Sequence, residues 1–136
     1  MQVREIMTGN VECVPPDLSI QHAARKMKVL DVGFLPICEN DRLIGTVTDR
    51  DIVIRGVSEG HDYQTTARSV MTKEVHFCFE DDDVEECANQ MKENGVKRVL
   101  VLNHDKRLVG VVSIGDLSKV NESGAGDALK DISEAA

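Results

Sequence analysis

The chain is written twice. Arg4-Glu-Ile-Met-Thr8 returns 64 residues later as Arg68-Ser-Val-Met-Thr72. Val11 then matches Val75, Asp17 matches Asp81, Met27 matches Met91 and Val32 matches Val96. One extra residue at Lys106 or Arg107 moves the offset, after which Gly45 meets Gly110, Val47 meets Val112 and Asp51 meets Asp116. A tandem repeat of this kind is one supersecondary unit used twice. A unit of about 60 residues buries too little surface to be secure alone. The expected organisation is a first repeat with its linker over 1–66, a second over 67–120, and a tail over 121–136. The spacer Val57–Thr66, polar and carrying Gly60, reads as a surface linker.

Both repeats have the same local pattern. Val11-Glu-Cys-Val14 predicts a short strand stopped by Pro15-Pro16. Ser19 is a helix cap before an apolar stripe of Ile20, Ala23, Ala24 and Met27. In the second copy Asp83 caps, Glu86 closes a capping box, and the stripe is Val84, Cys87, Ala88 and Met91. Phe34–Cys38, a polar turn at Asn40-Asp41 and Leu43–Val47 predict a hairpin; Val99–Leu102 and Leu108–Val112 are its counterparts. Helices opened by Thr48-Asp-Arg-Asp51 and Ser113-Ile-Gly-Asp116 follow. The order is β-α-β-β-α, twice. The hairpin strands run antiparallel, and the first strand, joined through a helix, lies parallel to the second. The predicted class is α+β, with the two repeats packed by their sheets about a pseudo-two-fold axis. The tail offers Ala128, Leu129, Ile132 and Ala135 at helical spacing, for a short helix or a frayed end.

Composition excludes several functions. Lys and Arg number 16 against 24 Asp and Glu, a net charge of -8, and aromatic residues are 3% of the chain. Neither a general phosphate-backbone binder nor a single-strand reader with stacking platforms is built that way. Nucleic acid is therefore not an expected partner. No stretch approaches the roughly 20 apolar residues of a membrane span, and Met1-Gln-Val-Arg-Glu-Ile has no signal-peptide pattern. The expectation is a cytoplasmic protein with reduced thiols and no membrane association.

The repeated pieces resemble a tandem pair of cystathionine β-synthase (CBS) domains, a Bateman module. The resemblance covers residues 3 to 120. It rests on Ile6-Met-Thr8 and Val70-Met-Thr72, on Gly33-Phe-Leu-Pro-Ile37, and on Gly45-Thr-Val-Thr-Asp-Arg-Asp51 with Gly110-Val-Val-Ser-Ile-Gly-Asp116. It implies a non-catalytic sensor that binds an adenosine-containing ligand such as AMP, ADP, ATP, NAD or S-adenosylmethionine in the cleft between its repeats. It also implies a homodimer paired through helices such as Ile52-Val53-Ile54 and Leu117–Val120. Without an attached output domain, a separate effector protein would read the change of shape.

Thr48 with Asp51, and Ser113 with Asp116, have the spacing of a capping box, which alone accounts for them. The same geometry suits a ligand. A helix start presents free N–H groups to a phosphate, and a carboxylate accepts from two ribose hydroxyls. Proteins similar to this one hold phosphate and ribose there. Arg50, where the second repeat has Gly115, is either a guanidinium for phosphate in the first repeat or a solvated surface arginine. By the resemblance, the first site comprises Thr48, Arg50, Asp51, Thr72, Val75 and His76, and the second Thr8, Asn10, Val11, Ser113 and Asp116. Leu35, Pro36 and Ile37 are either a wall of the cleft or plain strand core.

The remaining reactive residues have simpler readings. Cys87 lies in a helix stripe and Cys78 on a strand, so both read as small buried hydrophobes. Cys13 and Cys38 fall on strands expected to be neighbours, where a disulfide forms only if both side chains point the same way. No metal site is expected, because no cysteine spacing matches a zinc pair. Glu80–Asp83 lacks the Gly and spaced ligands of a calcium loop. No nucleophile with a base, P-loop or dinucleotide motif is evident. The alternative function is a ligand-free structural or redox-responsive interaction module.

Overall fold

The computed structural model describes residues 1–119; the expected tail helix and Val120 lie outside the described residues. The described chain forms two compact units, one of Glu12–Val75, the other of Met1–Val11 together with residues 76–119. Units and sequence repeats are thus cut at different places: the opening segment of each repeat belongs with the body of the other.

The Glu12–Val75 unit contains α1 (Ile20–Leu30), β1 (Phe34–Glu39), β2 (Arg42–Thr48), α2 (Asp49–Asp51), which runs on as a π-helix over Ile52–Val57, and α3 (Ala67–Val70). The hydroxyl of Ser19 accepts from the His22 N–H at 3.1 Å and starts α1 as expected. Asp31, with φ 55°, ends it in the left-handed region. Ile20, Ala23 and Met27 are buried. Ala24, expected in the stripe, is exposed. It lies at the edge of a narrow seam, where a methyl adds little burial.

β1 and β2 pair antiparallel through a two-residue turn at Asn40 and Asp41, whose φ values of 53° and 63° are both left-handed. A turn of that kind matches the strand twist. The expected strand Val11–Val14 is reduced to one parallel bridge, Val14 with Ile37. The Val14 N–H donates to the Pro36 carbonyl at 2.9 Å, and the Cys38 N–H to the Val14 carbonyl at 3.0 Å. Pro15 has no amide hydrogen with which to carry the ladder on. This bridge sets Cys13 beside Cys38, and the two form a disulfide with Cα atoms 5.8 Å apart. The expectation of reduced thiols is corrected at this pair. Val14, Ile20, Leu35, Ile37, Val47 and Val70 are central to one core, so Leu35 and Ile37 are core residues. The linker is pinned: Ile20 N–H donates to the Thr65 carbonyl and Gln21 N–H to that of Tyr63.

The other unit has a 3-10 turn at Val3–Glu5, then β3 (Phe77–Phe79), α4 (Val84–Asn94), β4 (Arg98–Leu102), β5 (Leu108–Ser113) and α5 (Ile114–Ser118). Its sheet has the order β3-β4-β5, with β3 parallel and β5 antiparallel to β4. The chain start is tied in by Val3 N–H to the Asp82 carbonyl, 2.9 Å, and Arg4 N–H to that of Glu80, 2.8 Å. Val84, Cys87, Ala88 and Met91 are buried as their spacing predicts. The capping box expected at Asp83 and Glu86 does not form. The Asp83 carboxylate accepts from the nearer Glu85 N–H at 2.9 Å, and Glu86 is exposed.

The disulfide closes a sequence separation of 25 residues. Replacing Cys13 and Cys38 together by Ser should destabilise the protein by about 2–4 kcal/mol. Urea denaturation of the oxidised chain and the double variant measures this, and coincident curves would count against a stabilising cross-link.

On the other unit, exposed His104 stacks on Phe79, centroids 4.9 Å apart, and bonds Asp81 through Nε2 at 2.8 Å. Its hydrogen bond to Asp81, and then the charge of that carboxylate, raises the His104 pKa above its ordinary value. The same bond holds Asp81 below the usual carboxylate value. The pairing is therefore complete between about pH 4 and pH 6.5. It is lost as pH rises through the raised His104 value and as pH falls through the lowered Asp81 value. An NMR titration should show His104 returning to an ordinary imidazole value in Asp81→Asn; an unmoved titration contradicts this.

Candidate functional site

The helix starts are built alike. The Asp51 N–H donates to Thr48 Oγ1 at 3.0 Å, and the Thr48 N–H to Asp51 Oδ2 at 3.0 Å. Likewise the Asp116 N–H donates to Ser113 Oγ at 3.2 Å, and the Ser113 N–H to Asp116 Oδ2 at 2.9 Å. Both are reciprocal capping boxes, which satisfy amides that a helix start leaves free.

A Met-Thr segment crosses the strand before each box. The Thr46 and Thr72 backbones exchange hydrogen bonds of 2.8 and 2.9 Å, as do those of Thr8 and Val111 at 2.9 and 3.0 Å. The approach is close. A Cβ at Gly45 would stand 2.7 Å from the Thr72 carbonyl oxygen, and one at Gly110 2.9 Å from that of Thr8. The glycine of each Gly-x-x-Ser/Thr-x-x-Asp frame is thus the landing place of the Met-Thr segment.

In the Glu12–Val75 unit this crossing reaches the carboxylate. The Thr72 hydroxyl lies 3.2 Å from Asp51 Oδ1 and 3.3 Å from Oδ2. Asp51 is 9% exposed, the buried charged residue among those described. Arg55, one turn on, donates from Nη1 to the Met71 carbonyl at 3.1 Å and brings Nε to 3.9 Å from Asp51 Oδ1. Sequence reading missed Arg55, although a cation four residues after an acid is a recognisable helix pair. The helix there is wound wide, with Ser58 donating to Val53 and His61 to Gly56. Such π turns are frequent at functional sites.

Among the residues proposed for the first site, Thr48, Asp51 and Thr72 are brought together by these bonds. Arg50 is exposed beside an open groove of about 340 Å³ that Asp49, Val53 and Ile54 also line. The Asp49 carboxylate is bonded to the Arg50 backbone N–H at 2.8 Å. Val75 is half-buried in the same unit, whereas His76 belongs to the other. Thr8, Asn10, Val11, Ser113 and Asp116 share one unit. Thr8 and Asn10 are exposed, Asn10 with φ 56°, and Val11 and Asp116 are half-buried. Pro36 is buried on β1.

Two α+β units, each with a hydroxyl-to-carboxylate helix start crossed by a Met-Thr segment, define a tandem two-repeat module. The family model of the CBS domain matches residues 3–57 and 67–123, and the chain belongs to that family. Hypoxic response protein 1 of Mycobacterium tuberculosis is 39% identical over 118 residues, covering 85% of this chain and 82% of the relative. A crystal structure of Hypoxic Response Protein I with two coordinated zinc ions superposes with TM-score 0.79 at 38% identity, over 88% of this chain and 98% of that one. The CBS domain pair of protein MJ0100, in complex with 5′-methylthioadenosine and S-adenosyl-L-methionine, gives 0.76 at 26% identity, over 88% and 94%. Among the described residues there is no group of three or more His, Cys, Asp or Glu placed to hold a metal ion.

Gly45→Ala should push the Met71–Thr72 segment off β2 and cost about 1–3 kcal/mol. Gly9→Ala, with nothing within 4 Å of its Cβ, is the control. Equal melting temperatures for the two variants would mean that the close approach has no energetic weight.

Proposed function

We propose that the chain is a non-catalytic sensor of an adenosine-containing small molecule, held at the Thr48–Asp51 helix start. The observation that carries this is the Asp51 carboxylate: buried, at a helix start, and held by the Thr48 N–H and the Thr72 hydroxyl. Two ribose hydroxyls are the ligand groups that would replace a single threonine hydroxyl on such an acceptor. The positive end of the helix dipole favours a phosphate or another electron-rich group there, although the amides of Thr48, Asp49, Arg50 and Asp51 are already bonded within the chain. The complex of MJ0100 with two adenosyl compounds supports the ligand class. Exposed Arg50 then selects for phosphate, and Gly115 makes the Ser113–Asp116 site the less anion-selective of the two.

Binding would act by differential affinity. The ligand favours whichever conformation presents Asp51 and Thr72 free to receive it, by no more than its affinity difference between states. A separate effector protein reads the result. Exposed Val53, Ile54 and Val57 support pairing of two chains through this helix. A second reading, a structural or redox-responsive interaction module, is favoured by the capping boxes, which already satisfy both helix starts, and by the Cys13–Cys38 disulfide.

Calorimetry with AMP, adenosine and S-adenosylmethionine on the oxidised and reduced chain separates them. The sensor reading expects binding that Asp51→Ala abolishes at the tighter site. Arg50→Ala should weaken AMP about ten- to hundredfold, the loss of one charge-assisted hydrogen bond, and adenosine less. Loss of all binding in Asp116→Ala alone, or an equal loss of AMP and adenosine in Arg50→Ala, overturns the site assignment. No heat with any of the ligands favours the second reading.

A further inference from the structure

The unit that lacks a disulfide has its own pair of cysteines. Cys78 on β3 and Cys87 on α4 face each other with their sulfurs 3.8 Å apart. They are 5% and 1% exposed, and both are free thiols. Aliphatic packing explains one buried cysteine on each element; it does not require two sulfurs in contact. The pair also lines an open depression of about 230 Å³, shared with Phe77, Asp82, Glu86 and Gln90. One water occupies about 30 Å³ in the liquid, so the depression has room for a small oxidant beside the two cysteines. We propose that Cys78 and Cys87 are a dithiol site for small thiol oxidants, hydrogen peroxide being the simplest, and close to a second intramolecular disulfide.

The local structure permits the movement. The sulfurs must approach from 3.8 Å to the ~2.0 Å of a disulfide bond. β3 is three residues long and lies at the edge of its sheet, paired to β4 alone. An edge strand shifts by small dihedral changes without breaking a ladder on its far side. Only the turn at residues 80–83 separates β3 from α4, so closure orders little additional chain. Phe77 stays anchored through its carbonyl, which accepts from Gln90 Nε2 at 2.9 Å.

The two thiols are not equivalent. Cys78 donates its S–H toward Cys87, and this bond together with burial pushes the Cys78 thiol up. Accepting the same bond lowers Cys87, against the opposing effects of burial and Asp82. Cys87 also lies in the first turn of α4, whose N-terminus favours a thiolate, whereas Cys78 lies on β3; Cys87 is therefore the attacking sulfur and Cys78 the resolving one. The Cys87 thiol loses its proton, and its sulfur attacks one peroxide oxygen. An S–O bond forms, the O–O bond breaks, and the departing hydroxide takes up the proton as water, leaving a sulfenic acid. The Cys78 sulfur then attacks the Cys87 sulfur. The S–S bond forms, the S–O bond breaks, and the hydroxyl leaves with the Cys78 proton as a second water. The two sulfurs together give up two electrons, and peroxide is reduced to two waters.

Peptide mapping of the full chain tests this. The folded protein is treated with hydrogen peroxide, unfolded in N-ethylmaleimide and cut after glutamate, which separates the two cysteines at Glu80, Glu85 or Glu86. The expected product is a Cys78–Cys87 cross-linked peptide pair that dithiothreitol releases, beside an unchanged Cys13–Cys38 pair. In Cys78→Ser, Cys87 should stop at a sulfenic acid that dimedone traps; in Cys87→Ser, Cys78 should remain a thiol. Maleimide on both wild-type cysteines after peroxide overturns the proposal. So does over-oxidation of Cys87 without a cross-link, or cross-linking of either sulfur to Cys13 or Cys38. The wild-type map decides the matter whether or not the variants fold.

Discussion

Reciprocal backbone hydrogen bonds close each unit: Thr46 with Thr72 in one, Thr8 with Val111 in the other. Each pair fastens the opening segment of one repeat to the body of the other. The bonds form only because Gly45 and Gly110 leave no Cβ in the way. Everything at the candidate site follows from this contact. It carries Thr72 to Asp51, buries Met71, and gives Arg55 a carbonyl to hold. A peptide of the first repeat alone would lack Met71 and Thr72, and with them one face of Asp51. The exchange of opening segments is also why about 60 residues suffice per unit, a length at which a core is marginal. Each body gains a strand-like partner for its hairpin and additional apolar side chains from outside its own repeat.

The two copies have the same framework and different chemistry. Both start a helix with a reciprocal box of hydroxyl and carboxylate. Only the Glu12–Val75 unit buries that carboxylate below a tenth exposed, and only there does a π-helix follow within the described residues. The wide turn sets Arg55 to bridge Asp51 and Met71. The cysteines diverge in the same way. In one unit they cross-link the Val14 bridge to β1; in the other they meet between β3 and α4 as thiols. The scaffold is repeated, and a few positions differ between the two helix starts and between the two cysteine pairs.

The acidic run from Glu80 to Asp83 shows how a charged cluster is absorbed by structure. Asp81 bonds His104, Asp82 accepts from the Phe79 N–H, and Asp83 caps the first turn of α4. Each carboxylate has a local task at the junction of strand and helix. Their density matches the number of amides and side-chain donors that gather there.

Much of this was legible from the residues because it depends on local spacing. The repeat, the order of helices and strands, the caps at Ser19, Thr48 and Ser113, the Asn40-Asp41 turn and the α4 stripe rest on short-range patterns that a window of sequence contains. The family could be read from motifs in order. Tertiary structure decided the rest. It reduced Val11–Val14 to one bridge, since Pro15 ends the ladder, and it left Ala24 outside a seam too narrow to use it. It paired Cys13 with Cys38 and set Cys78 against Cys87, contacts between elements that periodicity does not orient. It drew the unit boundaries through the repeats, because hydrogen bonds between distant backbone segments leave no mark in composition. And it made Arg55 a partner of Asp51, since which side of a helix faces a neighbouring carbonyl is determined by packing, not by spacing alone.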